Sequence, residues 1–167
     1  MPTYPAHVTK QLAFDVVILK GHKGLKVQRV QEWLSLQDCP TPIDGDFGDA
    51  TEKCVKDFQQ SNGMSATGAV NKGTWGALTE PLHNALSPIE LPAGSSIAEA
   101  MLRVAKQHLA QHPAEIGGEN RGPWVRIYMG GNQGKEWPWC AGFISFVMKQ
   151  ACMVLERSIP IPGSLLV

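Results

Sequence analysis

The sequence predicts a mainly α-helical protein built in two parts. Three observations carry that expectation. Apolar residues recur at helical spacing in separate stretches along the 167-residue chain. A turn-plus-helix pattern occurs twice in the first half. A Pro-, Gly- and Ser-containing stretch, HNALSPIELPAGSS (83–96), then divides the chain and places a linker over 83–95, between units at 1–82 and 96–167.

In the first part, GLKVQRVQEWLSLQ (24–37) sets Val27, Val30 and Leu34 on one helical face with Trp33 beside them. The prolines and Asp-Gly of DCPTPIDGDFG (38–48) break that helix. DATEKCVKDFQQSNG (49–63) resumes it. Asp49 is expected as N-cap, Glu52 as its capping-box partner, and Ala50, Cys54, Val55 and Phe58 as the inward face; Asn62-Gly63 is the stop. NKGTWGAL (71–78) is a short third helix, capped by Asn71, with Trp75 and Leu78 inward. DGDFGDAT (44–51) aligns with TGAVNKGT (67–74), so Phe47 and Val70 are expected under equivalent turns. Two copies are too few for a solenoid and suit a closed bundle.

Beyond the linker, SIAEAMLRVAKQHLAQH (96–112) reads as an amphipathic helix. Its inward face is Ile97, Met101, Val104 or Ala105, and Leu109 or His108, and Pro113 ends it. A Gly-rich loop region reaches Trp139. A last helix is expected from Pro138 to Leu155, followed by an extended tail, SIPIPGSLLV (158–167).

Lys plus Arg equals Asp plus Glu at 15 each, which gives no general attraction to nucleic acid or acidic lipid. No stretch is long enough to span a bilayer, and the N-terminus lacks the basic start and long apolar run of a signal peptide. Synthesis in the cytoplasm is the expectation. Cys39, Cys54, Cys140 and Cys152 form no CxxC pair and no zinc spacing. Cys39 and Cys54 can meet in space, which spacing alone does not decide. Cys140 and Cys152 on one helix lie about 18 Å apart and cannot bond to each other.

Cys140 is the sharpest candidate for chemistry. Pro138 suits a helix start, so Cys140 falls in the first turn, where the positive end of the helix dipole favours a thiolate. The alternative is a small thiol packed between aromatic residues. The dipole alone is worth about 0.3 to 2 kcal/mol and rarely ionises a thiol at neutral pH, so a histidine partner is normally needed. Every histidine precedes Cys140. His108 and His112 stand four apart without an intervening Glu, and read as helix-end residues near a C-terminal dipole. DGDFGDATE (44–52) fails the calcium-loop pattern, because its fifth and sixth positions are Gly48 and Asp49. In GGENRGPW (117–124), Glu119, Asn120 and Arg121 are either substrate contacts or a solvated turn. Trp124, Trp137 and Trp139 divide between core and a wall against sugars or peptides.

The stretches VQRVQEWL, IDGDFGDATEKCVKDFQQSNGM and TGAVNKGTWGAL together resemble the peptidoglycan-binding domain found beside cell-wall hydrolases, over about residues 22–80. The resemblance implies a three-helix bundle that binds peptidoglycan. The stretches IAEAMLRVAKQHLAQHPAEIGGENRGPWVRIYMGG and WPWCAGFISFVMKQA resemble the first half of a CHAP-type domain, a papain-like cysteine amidase or peptidase of α+β class. That resemblance implies that Cys140 is a nucleophile attacking an amide of the stem peptide, or the bond joining peptide to sugar. It implies substrate positioning for Glu115, Glu119, Asn120 and Arg121, with Trp137 and Trp139 beside them. No cofactor is implied, since thiol chemistry of this kind needs none. The chain departs from the family in having no histidine after Cys140. Three accounts stand open: a piece of a longer enzyme, a remnant in which the binding module alone works, or recruitment of His108 or His112. An unfinished domain would also expose apolar surface for self-association.

Overall fold

The computed structural model describes residues 4–160. Eight helices are present among them: α1 (Ala6–Leu12), α2 (Leu25–Leu36), α3 (Asp49–Ser61), α4 (Lys72–Leu78), α5 (Glu80–Leu86), α6 (Ile97–Leu109), α7 (Pro123–Tyr128) and α8 (Cys140–Val154). The described residues form no β-strand, only two isolated antiparallel bridges, Ile18 with Val70 and Lys23 with Asp46. No helix among them is long and apolar enough to cross a membrane. The extended tail expected over 158–167 lies, from 161 on, outside the described residues. The chain forms two compact units, one of residues 12–80 and one that joins the N-terminal residues up to Gln11 to the chain from Pro81 onward.

The 12–80 unit closes around its own repeated turn. The segment before α2, which turns at Lys20-Gly21, pairs with both copies. Ile18 exchanges backbone hydrogen bonds with Val70 (3.0 and 2.7 Å). Gly21 N–H donates to the Phe47 carbonyl, and Phe47 N–H to that of His22, each at 3.0 Å. Phe47 and Val70 are both fully buried, as the alignment of the two turns predicts. Around them pack Val27, Val30, Trp33 and Leu34 of α2, Val55 and Phe58 of α3, and Trp75 and Leu78 of α4. Asn71 caps α4, accepting from the Thr74 N–H, as expected. A disulfide joins Cys39 to Cys54, with Cα atoms 5.7 Å apart. Closing a loop of that length removes about 3 kcal/mol of unfolded-state entropy in the chain-entropy picture.

Two local expectations for α3 are corrected. Gly48, not Asp49, is the N-cap, and no side chain caps the helix. Asp49 lies inside the first turn, paired with Lys20, and Glu52 pairs with Lys56 and Lys20. The turn at Lys20 thus supplies a cation at the α3 N-terminus, which draws both acids away from capping. Ala50 is exposed and Thr51 takes the inward place, where its hydroxyl accepts from Gln31 Nε2 of α2 (3.2 Å).

In the second unit, α6 and α8 pack along each other through Ala100 and Val104 against Val147 and Ala151. The inward stripe of α6 is Ala100, Val104 and His108, while Leu109 is exposed and Ile97 and Met101 are only partly covered. The stripe runs through small residues because the two helices approach closely. α6 carries a complete capping box, Ser96 with Glu99. The stretch expected as a linker over 83–95 begins inside α5, where Leu82, Ala85 and Leu86 are buried. The N-terminal extension, expected with the first module, places α1 in this unit: His7 Nε2 donates to the Ile127 carbonyl (3.2 Å), and Gln11 accepts from Arg126 Nε (3.0 Å).

The region expected to be loop up to Trp139 contains α7, all six residues of which are buried. Gly122 precedes it at φ 109 and backs onto Ile116, so no side chain fits there. Pro123 then opens the helix, where its missing N–H costs nothing. α8 begins at Cys140, two residues later than expected, and crosses α7 at Gly142. A Cβ on Gly142 would fall on Met129 Sδ and lie 2.8 Å from the Tyr128 carbonyl oxygen. Glycine is what lets the two helices touch.

Candidate functional site

Four of the residues singled out in the second unit converge. Cys140 is exposed and is the first residue of α8; Trp139 is its N-cap. The Trp139 ring stacks on Tyr128, with centroids 5.5 Å apart and planes 8° from parallel. Its indole N–H donates to Glu115 Oε1 (2.8 Å), and Glu115 Oε2 accepts the Asn120 backbone N–H (2.8 Å). One carboxylate therefore ties the residue preceding Cys140 to the glycine loop. Asn120 sits at φ 50 and donates through Nδ2 to the Lys135 carbonyl (3.5 Å), while its own carbonyl accepts from Gly134 N–H (2.6 Å). The loop is a braced turn with one face open.

The other candidates stand further out. Trp137 is half-buried, with its backbone N–H on the Gly134 carbonyl. Arg121 is exposed and lies beside Gly118 and Gly134. Glu119 is exposed and makes no hydrogen bond among the described residues. Trp124 is core, 1% exposed, so the three tryptophans do divide between core and surface. Beside Cys140, Ala141 and Ile144 are also exposed, and Ile144 is 57% accessible. The first N–H groups of α8 have no intrahelical acceptor.

His108 is not a helix-end residue at the surface. It is fully buried, in edge contact with Trp124, Phe143 and Phe146. Gln150 Nε2 donates to the Ala85 carbonyl (3.0 Å), which turns Gln150 Oε1 toward His108 Nε2 (2.8 Å). Nε2 is then the protonated nitrogen, and Nδ1 accepts from the Tyr128 hydroxyl (3.0 Å). Burial pushes the imidazole below its ordinary value and the Tyr128 hydroxyl above its own. Both ring nitrogens are committed, so His108 has none to offer a thiol. His112 is exposed beyond α6, at φ 51, and no hydrogen bond joins Cys140 to a histidine among the described residues. The helix pattern shows that position 108 can face inward, but not that a polar ring would find two partners there.

The 12–80 unit contains a second kind of built feature. Gln31, from α2, accepts the Gly45 N–H (2.8 Å) and donates to Asp44 Oδ1 (2.9 Å), the Asp46 carbonyl (3.0 Å) and Thr51 Oγ1 (3.2 Å). Gln59, from α3, accepts the Gly68 N–H (2.9 Å) and donates to Thr67 Oγ1 (3.2 Å), the Ala69 carbonyl (2.9 Å) and Thr74 Oγ1 (3.0 Å). Every partner of Gln31 maps onto a partner of Gln59 at the same offset. Both glutamines are buried, and the two glycines share φ near 75° (76° and 74°). The acids of the first turn are spent in this clamp and on Lys23, which pairs with Asp46 at 2.6 Å.

Residues 23–78 match the family model described as a putative peptidoglycan binding domain. The match spans α2, α3, α4 and both glutamine clamps, about a third of the chain. No curated protein matches the chain. The segment 23–78 is thus similar to a peptidoglycan-binding domain, and that likeness supports cell-wall binding by the first unit.

Proposed function

We propose that the chain binds peptidoglycan through residues 23–78 and carries at Cys140 the nucleophile of a CHAP-type cysteine amidase or endopeptidase. The observation that supports the catalytic part is the exposed thiol at the first residue of α8, beside a tryptophan fixed by Glu115. In this reading the Cys140 thiolate attacks the carbonyl carbon of a stem-peptide amide, or of the amide joining peptide to sugar. The free N–H groups at the start of α8 face the oxyanion that forms. The C–N bond breaks, the amine leaves with a proton taken from solvent water, and a second water hydrolyses the thioester to the acid and restores the thiol. Trp139 and Ile144 provide apolar surface beside the thiol, with Trp137 further out; Asn120, and beyond it Arg121 and Glu119, supply the polar edge. The Cys39–Cys54 disulfide suits a place of action outside the reducing cytoplasm.

The engagement of both His108 nitrogens favours a second reading, in which this chain binds the wall and cuts nothing. One experiment separates the two. The chain and Cys140→Ala are incubated with purified sacculi, the pellet is assayed for protein, and the supernatant is read by mass spectrometry. Pelleting of both proteins, with fragments released only by the parent, establishes the nucleophile, and the fragment masses name the bond. Pelleting of both without release selects the binding reading. Failure of both to pellet overturns wall binding.

A further inference from the structure

We infer that the second unit holds a binding pocket for an anionic amphiphile, with an apolar chain inside and a carboxylate-like head at the rim. The pocket is a cavity of about 490 Å³ between α1, α7 and the C-terminal half of α8. That volume lies in the range of small-molecule sites, roughly 300 to 1,000 Å³. Tyr128 borders both this pocket and the Cys140 site, but the pocket extends away from Cys140 to Cys152, twelve residues along α8 and about 18 Å at the helical rise. The proposal therefore does not rest on the hydrolase reading.

The wall chemistry selects the ligand class. Ile127, Phe146, Cys152, Met153 and Ile159 make it apolar. The polar groups that reach it are spent within the protein. The Tyr128 hydroxyl and Gln150 Oε1 bond to His108, Gln150 Nε2 to the Ala85 carbonyl, and the Tyr4 hydroxyl to the Leu86 carbonyl (2.9 Å). A sugar or peptide entering here would leave its own donors and acceptors unmatched, and each buried unmatched group weakens binding. An acyl chain has none to lose.

The rim selects the charge. Lys149 and Arg157 both line the pocket, and neither pairs with a carboxylate among the described residues. Glu156 is the one acid at the same rim, and His7 is the further basic group. Burial, and the field of Lys149, hold His7 below its ordinary value, so it adds no standing charge at neutral pH. Two cations against one acid at the mouth of an apolar cavity favour an anionic head over a neutral or cationic one. The head belongs either to a free fatty acid or to an anionic lipid.

Calorimetric titration of the full chain with decanoate, decanol and decyltrimethylammonium tests the assignment. Decanoate is expected to bind, decanol about ten-fold more weakly, and the ammonium compound not at all. The double variant Lys149→Gln/Arg157→Gln removes the two rim charges and keeps polar side chains in their place. It is expected to weaken decanoate about ten-fold while leaving decanol unchanged. No decanoate binding, or equal binding by parent and double variant, overturns the proposal. Pelleting with phosphatidylglycerol vesicles that decanoate reverses would make membrane lipid the source of the head group; absence of pelleting would make it the free acid.

Discussion

The two units solve the problem of a small core by opposite means. The 12–80 unit uses one hydrogen-bonded device twice: a buried glutamine that grips a glycine turn and thereby seats Phe47 or Val70. The second unit has no repeated part. It relies on aromatic rings packed around one neutral histidine and on a bare-backbone crossing at Gly142. The first arrangement is polar at its centre yet satisfied atom by atom. The second is aromatic at its centre, crossed by one short polar chain from Ala85 through Gln150 and His108 to Tyr128, with the buried Gln11–Arg126 pair beside it. A satisfied local clamp can be copied; a shared aromatic core is made once.

The comparison breaks most severely at the glutamines. Gln31→Ala and Gln59→Ala each strip a turn of its clamp and leave a glycine N–H buried without an acceptor. An orphaned buried group costs about 1 to 3 kcal/mol, and the lost cavity filling adds to it, so each variant should lose about 3 kcal/mol from the first unit. The two losses should be equal within about 1 kcal/mol. Urea unfolding read by hydrogen exchange reports each unit separately. A full loss in one variant beside a negligible loss in the other would show that the turns are alike in geometry but not in load.

The same contrast explains what was legible in the sequence. The first unit's helices, the Asn71 cap and the paired turns are local patterns, and local spacing finds them. Even the clamps sit inside the stretches that carried the resemblance, Val30-Gln31 and Phe58-Gln59, although their partners do not follow from spacing. The Asp49 cap was misplaced because Lys20, far away in sequence, claims that carboxylate. In the second unit, Cys140 at a helix start followed from Pro138, and the resemblance grouped Glu115 and Asn120 with it. The atoms that join them, through the Trp139 indole, depend on a contact 24 residues apart. α7 lies where the sequence leads one to expect loop, because six buried residues show no amphipathic period and Gly122-Pro123 is the local signal they carry. On α6 the expected face already includes Val104 and the alternative His108; Ala100 stands in for Ile97 and Met101, because size rather than hydrophobicity decides a face against a close neighbour.

Glycine substitutions sharpen the difference at a smaller scale. Gly142→Ala gains up to about 1 kcal/mol of helix propensity but drives a methyl into Met129 and the Tyr128 backbone. Overpacking of this kind costs about 1 to 3 kcal/mol, and a backbone atom cannot step aside as a side chain can. The expected net loss is about 2 kcal/mol in the second unit. Gly76→Ala, in α4, meets nothing within 4 Å and should stabilise the first unit by a few tenths to about 1 kcal/mol. Thermal unfolding of both variants checks the pair; a stabilising Gly142→Ala would mean that α7 and α8 shift apart at no cost.

The smallest effect tests the neutral histidine. His108 is packed against Trp124, Tyr128, Phe143 and Phe146 and bonded to Gln150, with no charged group among them. Burial lowers its folded pKa below that of the unfolded chain. The unfolded state then binds the extra proton, so stability is full above about pH 6.5 and falls as pH drops below that value. As pH falls below 6.5 the second unit should lose stability, while the first unit, whose depressed groups are exposed carboxylates, should stay level until far more acid conditions. His108→Leu removes the titrating ring. It should unfold more readily at pH 7.5 but lose the slope between pH 6.5 and 5.5. A slope that survives in this variant would pass the role to His7, the other histidine of the unit held below its ordinary value, and would leave His108 as a packing residue alone.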